Sequence, residues 1–275
     1  MRFWAVIVSV LAVGLVANPV PAASQRGSDE CAAGDPDRRI EVCTRIIRGR
    51  GASAKNRALA YSRRGNAYRE KGDHDRALAD YSEAIRLDRK DAGMHRDRGN
   101  VHVEKGDYER ALADYNEAIR LDPKDADAYI DRGLAYLFSG SLAGAEADLR
   151  QAHELAPQDA YAVLWLDIAE RRRNVPRHLE QAIPQLDMSA WPAPVIRLFL
   201  DQATPAGVLA AANDSEPKTK QRQVCEANFY GGELALLRGE REEAARLFRL
   251  AASDCPRGST EWSAASAELR ALALR

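Results

Sequence analysis

The sequence lacks a charge excess. Its 40 Lys and Arg against 41 Asp and Glu leave a formal net charge of −1. Nothing in that balance points to nucleic acid or to an anionic lipid surface. It lacks a Cys-x-x-Cys pair, so the usual spacing of a zinc or thioredoxin-like site is missing. It also lacks a His-Glu-x-x-His helix, a phosphate-binding glycine loop and a serine nucleophile elbow. The five histidines are His74, His95, His102, His153 and His178, with no ligand spacing among them. Carboxylates are many, but they recur with the period described below and read as a solvated face. No catalytic residue, metal site or cofactor is expected.

Long apolar runs are scarce as well. The one at the start, Phe3 to Ala17, is too short to span a bilayer comfortably. It follows Arg2 and precedes Val20-Pro21-Ala22-Ala23, small residues at which a leader is cut. Residues 1–23 therefore read as a secretory signal peptide, cleaved after Ala22 or Ala23. A lipoprotein would need a cysteine directly after this segment. The first is Cys31, so no stable membrane anchor is expected, and the mature chain is placed in the periplasm or outside the cell.

What is present is a repeat. Hydrophobic content of 45% and charged content of 29% suit a folded chain. Gly65, Gly99 and Gly133 stand 34 residues apart, and so do Ala77, Ala111 and Ala145. Around them recur Arg-Gly-Asn at 64–66 and 98–100, Lys-Gly-Asp at 71–73 and 105–107, and Ala-Leu-Ala-Asp-Tyr at 77–81 and 111–115. A fixed 34-residue period marks stacked helical hairpins. The small residues sit where two helices cross closely, and Tyr81 and Tyr115 fill the other side. Gly-Asp pairs end one helix and cap the next. Helices of about a dozen residues are marginal alone, so each hairpin must bury a face on its neighbour.

This pattern resembles the tetratricopeptide repeat (TPR) family. Tyr61, Gly65 and Tyr68 take its helix A positions, Ala77, Tyr81 and Ala84 its helix B positions, and Pro123 and Pro157 close repeats. The resemblance implies an all-α fold, a TPR helical-hairpin solenoid in a right-handed superhelix. Residues 24–57 read as an N-terminal half-repeat and linker, and 58–159 as three full repeats. Residues 160–224 read as a degenerate repeat and a Pro-rich helical insertion, with 214–223 as a flexible loop. Residues 225–258 read as the last repeat, and 259–275 as an amphipathic helix capping the open end of the stack.

Four cysteines allow three pairings, and an exported chain favours bridges. The local pairing, Cys31–Cys43 with Cys225–Cys255, fits the hairpin reading: the first would staple the short N-terminal cap across the Gly34-Asp35-Pro36 turn, and the second would join the start of helix A to the end of helix B in the last repeat. Four free, buried cysteines are the alternative.

Two charge series keep the period. Arg64, Arg98 and Arg132 precede the helix A glycine, and Asp80, Asp114 and Asp148 precede the large residue of helix B. In the last repeat Gly231 and Leu247 replace both partners together. Joint presence and joint loss predict that the two positions touch, within a repeat or across to the next.

The family resemblance implies a concave face lined by helix A. It comprises Leu59, Ser62, Asn66 and Arg69, then Arg96, Asn100 and Val103, then Ile130, Leu134, Leu137 and Phe138, grading from polar to apolar. TPR domains that grip a terminal carboxylate use two asparagines with lysine and arginine. Asn66 and Asn100 match that pattern, while Ile130 and Leu134 stand where the cations belong, so the resemblance implies an incomplete clamp. The runs Cys225-Glu226-Ala227-Asn228-Phe229-Tyr230-Gly231-Gly232 and Glu242-Glu243-Ala244-Ala245-Arg246-Leu247-Phe248 further resemble exported bacterial TPR proteins of the NlpI lipoprotein type. That likeness implies a non-catalytic scaffold or adaptor in the bacterial envelope. Its partner is another protein or peptide, such as a cell-wall hydrolase or a periplasmic protease. The alternative is a self-associating oligomerisation module, with Leu134, Leu137 and Phe138 as its homo-oligomer interface.

Overall fold

A computed structural model describes residues 30–273; the leader expected over 1–23 lies outside them. Among the described residues every regular element is helical. After a helical turn at 30–32, helix α1 spans Pro36–Arg48. Three hairpins follow: α2 (Ala54–Glu70) with α3 (His74–Leu87), α4 (Ala92–Glu104) with α5 (Tyr108–Leu121), and α6 (Ala126–Phe138) with α7 (Leu142–Leu155). Helix α8 (Ala160–Arg173) opens a hairpin that is not completed. In its place stand α9 (Leu179–Ala182), a 3-10 turn at Ile183–Gln185, α10 (Ala193–Phe199) and α11 (Pro205–Ala211). Helices α12 (Pro217–Leu237) and α13 (Arg241–Asp254) form the last hairpin, and α14 (Thr260–Ala273) follows. Neighbouring hairpins stack in chain order, as the period predicts.

The turn chemistry is local. Gly72 and Gly106 take positive φ of 76° and 77°, a conformation that costs a Cβ-bearing residue. Asp73 and Asp107 then accept hydrogen bonds from the backbone N–H of Arg76 and Arg110. At the hairpin crossings the small residue is obligatory. A Cβ on Gly99 would stand 2.7 Å from the ring of Tyr115, and one on Gly65 3.1 Å from that of Tyr81.

Burial is uneven along the stack. The first two repeats hold small separate apolar clusters around Tyr81 and Tyr115. From α6 onward a continuous core gathers Trp165, Phe199, Phe229, Tyr230 and Phe248, with Trp165 and Phe229 centroids 5.3 Å apart. The insertion belongs to this core. Leu179, Val195, Ile196, Phe199 and Val208 are wholly buried, so it replaces the missing helix B of the fourth repeat.

Both local disulfides form. The Cα–Cα distances are 5.1 Å for Cys31–Cys43 and 4.9 Å for Cys225–Cys255. Three expectations are corrected. Helix α2 starts at Ala54 with Ser53 as its cap, inside the expected linker. Most of the expected loop at 214–223 is helix: α12 starts at Pro217, capped by the Glu216 side chain. Lys, Gln and Arg there are good helix formers, and their outward face is wet, so the polarity of this stretch is that of a solvated helix and not of a loop. Cys225 thus lies within α12 rather than at its start. Finally, α14 does not simply cap an open end. It folds back to touch α4 and α6 as well as α12 and α13, through a turn at Gly258 with φ of 81°.

Candidate functional site

Each of the three full repeats at 58–159 is locked by the predicted ion pair, and the pairing is within the repeat. Arg64 Nε and Nη2 donate to the two oxygens of Asp80, both at 2.7 Å. Arg98 does the same to Asp114 at 2.9 and 2.6 Å, and Arg132 to Asp148 at 2.7 Å twice. The third nitrogen of each arginine reaches the preceding layer, at Thr44, Ser82 and Asn116 respectively. Burial alone would push the Asp114 carboxyl up; the Arg98 and His95 contacts outweigh it and leave it below the usual range. His95 and His102 stand where Tyr61 and Tyr68 flank Arg64, and both are buried. These residues hold the scaffold together rather than meeting a ligand.

The helix A residues tell a different story. Asn66 and Asn100 accept hydrogen bonds from the hydroxyls of Tyr81 and Tyr115, at 2.5 and 2.6 Å. Their carbonyls are committed to the fold. Arg69 donates to Glu104 at 2.6 Å and to the Gly258 carbonyl at 2.9 Å, so it holds the turn before α14. Arg96 is shared among Asp125, Asp127 and Asp131. Ser62, Val103, Ile130, Leu134 and Leu137 are all buried, Phe138 is half-buried, and only Leu59 stays exposed. The expected open groove is therefore largely closed: its middle is covered by α14, whose Ser263, Ala264, Ala265 and Ala267 are buried. Small residues on that face let the helix sit close to its neighbours. Between it and helices α4 and α6 only about 70 Å³ remains, next to Asn100, Leu134 and Ser263.

Two openings flank α14. On one side lies a cavity of about 490 Å³ walled by Leu137, Phe138, Leu142, Leu236, Leu237 and Leu272. At its base Arg172 donates to Glu233 at 2.6 Å and Glu268 at 2.7 Å, joining α8, α12 and α14. One arginine serves two buried carboxylates, and one oxygen of Glu233 has no partner. Burial holds the Glu233 carboxyl well above the usual range, and neighbouring Glu268 adds to this against the pull of Arg172. On the other side lies a cavity of about 340 Å³ where the first turns of α6, α8 and α14 converge. Asp127, Asp131, Asp159, Tyr161, Trp165 and Glu261 line it, with Arg96 as the cation among them. Burial pushes Asp131 to about 7, against the pull of Arg96. It pushes Glu261 to about 7 as well, helped by Glu226.

Sequence reasoning missed this acidic mouth, although a signal existed. Positions 63, 97, 131 and 165 share one place in the repeat and read Arg, Asp, Asp and Trp. A place that varies in charge while its neighbours repeat is a place the scaffold does not fix. Glu261 carried no such signal, because only the return of α14 brings it there. Among the described residues, no group of His, Cys, Asp and Glu is placed to hold a metal ion, and no helix is long and apolar enough to cross a membrane.

Comparison with known proteins agrees with this architecture. Family models described as TPR repeat match residues 65–106 and 99–140, and one described as tetratricopeptide repeat matches 126–159. No curated protein matches the chain at a significant level. Among solved structures, a tetratricopeptide repeat protein from Parabacteroides merdae is 21% identical, with a TM-score of 0.55, covering 91% of this chain and 97% of that one. MamA is 18% identical with a TM-score of 0.50, covering 64% and 93%. The second TPR domain of human RPAP3, solved in complex with an HSP70 peptide, is 29% identical over 43% of this chain and 98% of its own, with a TM-score of 0.41. The chain carries tetratricopeptide repeats, and its fold is that of a TPR solenoid.

Proposed function

We propose that this protein is a non-catalytic adaptor that binds a segment of another protein beside α14, within the bacterial envelope. The observation that carries this reading is the cavity of about 490 Å³ next to α14. It presents five leucines and Phe138 on a rigid repeat array, and concave apolar pockets of this size are ordinary binding sites. TPR domains in general mediate protein–protein contacts and bind peptides. The leader-like segment at residues 1–23 and the two local disulfides support an oxidising, extracytoplasmic address. With the likeness of residues 225–256 to envelope TPR proteins, they make a cell-wall hydrolase or a periplasmic protease the partner class of this proposal. The alternative, self-association through Leu134, Leu137 and Phe138, has less support, since Leu134 and Leu137 are 5% and 3% exposed within the chain's own fold.

The test is a photo-crosslinking residue at position 237, at the edge of the cavity, in cells of the native host. A single crosslinked envelope protein, lost when Phe138 and Leu142 are both replaced by Ala, is the expected outcome. Crosslinks only to a second copy of the chain would replace the adaptor reading with the oligomerisation one.

A further inference from the structure

We propose that α14 is a proton-linked strap: its outer half sits on the repeats in acid and lifts more often as pH rises toward neutrality, widening the apolar cavity beside it. The inference goes beyond the adaptor reading; only its consequence for a partner rests on that reading.

A charge count across the strap is the first support. One nitrogen, Arg172 Nη2, donates to Glu233 at 2.6 Å and to Glu268 at 2.7 Å, so the two carboxylates are held against each other. The three residues come from three helices: Arg172 from α8, Glu233 from α12 and Glu268 from α14. The Glu233 side chain is wholly buried and that of Glu268 is 5% exposed. The other Glu233 oxygen is buried without a hydrogen-bond partner. One guanidinium thus serves two carboxylates in a nearly dry site, and full ionisation would leave one negative charge uncompensated. Carboxylates that share such a site retain a proton. Lifting α14 carries Glu268 away and leaves Arg172 to Glu233 alone, a pair that balances without the proton.

The second support is the way α14 is fastened. At its root the Cys225–Cys255 bridge ties the end of α13 to α12. Arg69, itself paired with Glu104, grips the Gly258 carbonyl, and Gly258 turns the chain with a φ of 81°. Beyond that root α14 is held by the Glu268 contact and by a buried face that includes Ala264, Ala265 and Ala267. Alanines bury little apolar area each, so the polar contact weighs heavily. The last turns bring Ala271 and Leu272 to the wall of the cavity of about 490 Å³, with Phe138 and Leu142. Lifting them opens it.

Proton linkage fixes the direction. Burial holds the Glu233 carboxyl above the usual range, and Glu268 adds to this against the pull of Arg172. Around the triad, α13 brings Arg241 to the cavity and α6 brings Leu137 and Phe138. Towards α4 and α6 the charged groups beside the strap are Arg69 and Asp131, next to Ser263. When α14 lifts, the raising neighbour is lost and Glu233 titrates lower. The seated strap therefore binds a proton that the lifted one gives up. Seating is fullest in acid, weakens as pH rises from the ordinary carboxyl range, and levels off once the raised group has lost its proton. Glu261 is raised too, by burial and by Glu226, against Arg222, but it lies at the fastened root and serves as the control.

The experiment is hydrogen–deuterium exchange on the disulfide-bonded protein, corrected for the chemical exchange rate at each pH. We expect the protection of amides 264–273 to fall at least tenfold from pH 5 to pH 7.5, while that of α5 changes less than threefold. Glu233→Gln and Glu268→Gln should each hold α14 flat to within threefold, and Glu261→Gln should keep the fall. A smaller fall in the unaltered protein, an equal fall in α5, the full fall in either of the first two variants, or its loss in Glu261→Gln would each overturn the strap. Should one variant fail to fold, the other decides. Flat exchange would sink the strap and leave the adaptor reading intact; a missing crosslink from position 237 would sink the adaptor reading and leave the strap.

Discussion

At the residue scale, the arginine ladder is the most legible feature. Its two positions touch because both series share one period, and the fork geometry makes each contact bidentate. A double-mutant cycle on Arg98 and Asp114 should give a coupling of about 1–3 kcal/mol, since Asp114 is nearly buried. The same cycle on Arg98 and Asp80 should give almost nothing, because Asp80 belongs to Arg64. Glu233 behaves in the opposite sense. Its pKa in the folded chain is raised, so it favours folding fully only below its unfolded pKa, and that contribution is lost as pH rises toward the raised value. Replacing Glu233 by Gln should therefore raise stability at pH 8 by about 1–3 kcal/mol and change little at pH 5, as read from urea midpoints. Leu134 lies beneath α14 and is 5% exposed, so its replacement by Ala probes stability rather than binding. Phe138 is the better probe of the site.

At the scale of elements, the hairpin is set by a crossing and a closure. Gly99→Ala should destabilise by about 1–3 kcal/mol, because the added Cβ meets a fully buried tyrosine ring. Gly51→Ala, where nothing lies within 4 Å, is the control. Both are checked by thermal or urea unfolding. The last hairpin has lost its ion pair and has a bridge at its open end. Removing the Cys225–Cys255 disulfide, which spans 30 residues, should cost about 3–4 kcal/mol in the chain-entropy account. A double Cys→Ala variant with an unchanged urea midpoint would contradict it. The helices with a strict period were readable to within a few residues. The start of α12 was not, because Lys218 to Gln223 form a solvated helix whose composition also suits a loop. The insertion at 174–216 was readable only as short pieces. Pro192-Ala193-Pro194 and Thr204-Pro205 mark the starts of α10 and α11, but the burial of these helices in the core that holds Trp165 and Tyr230 depends on contacts no local pattern reports.

At the scale of the whole molecule, the decisive contact joins residues far apart in the chain. Arg69 and Gly258 are 189 positions apart and meet at 2.9 Å. A period of 34 predicts stacking between neighbours; it does not say where the chain goes once the repeats end. The helix A face expected to be open is covered in its middle by α14, whose Ser263, Ala264, Ala265 and Ala267 are buried. The return of α14 divides the concave side into an apolar cavity and an acidic mouth, and the adaptor reading depends on that division. The most direct test is the distance between nitroxide labels on Lys105 and Arg270, carried on non-cysteine side chains so that the disulfides stay intact. A Cβ on Gly106 would stand 3.9 Å from Arg270, so pulsed electron resonance should return one short, narrow distribution. A broad distribution centred at long distance would show α14 away from the repeats and would contradict the account.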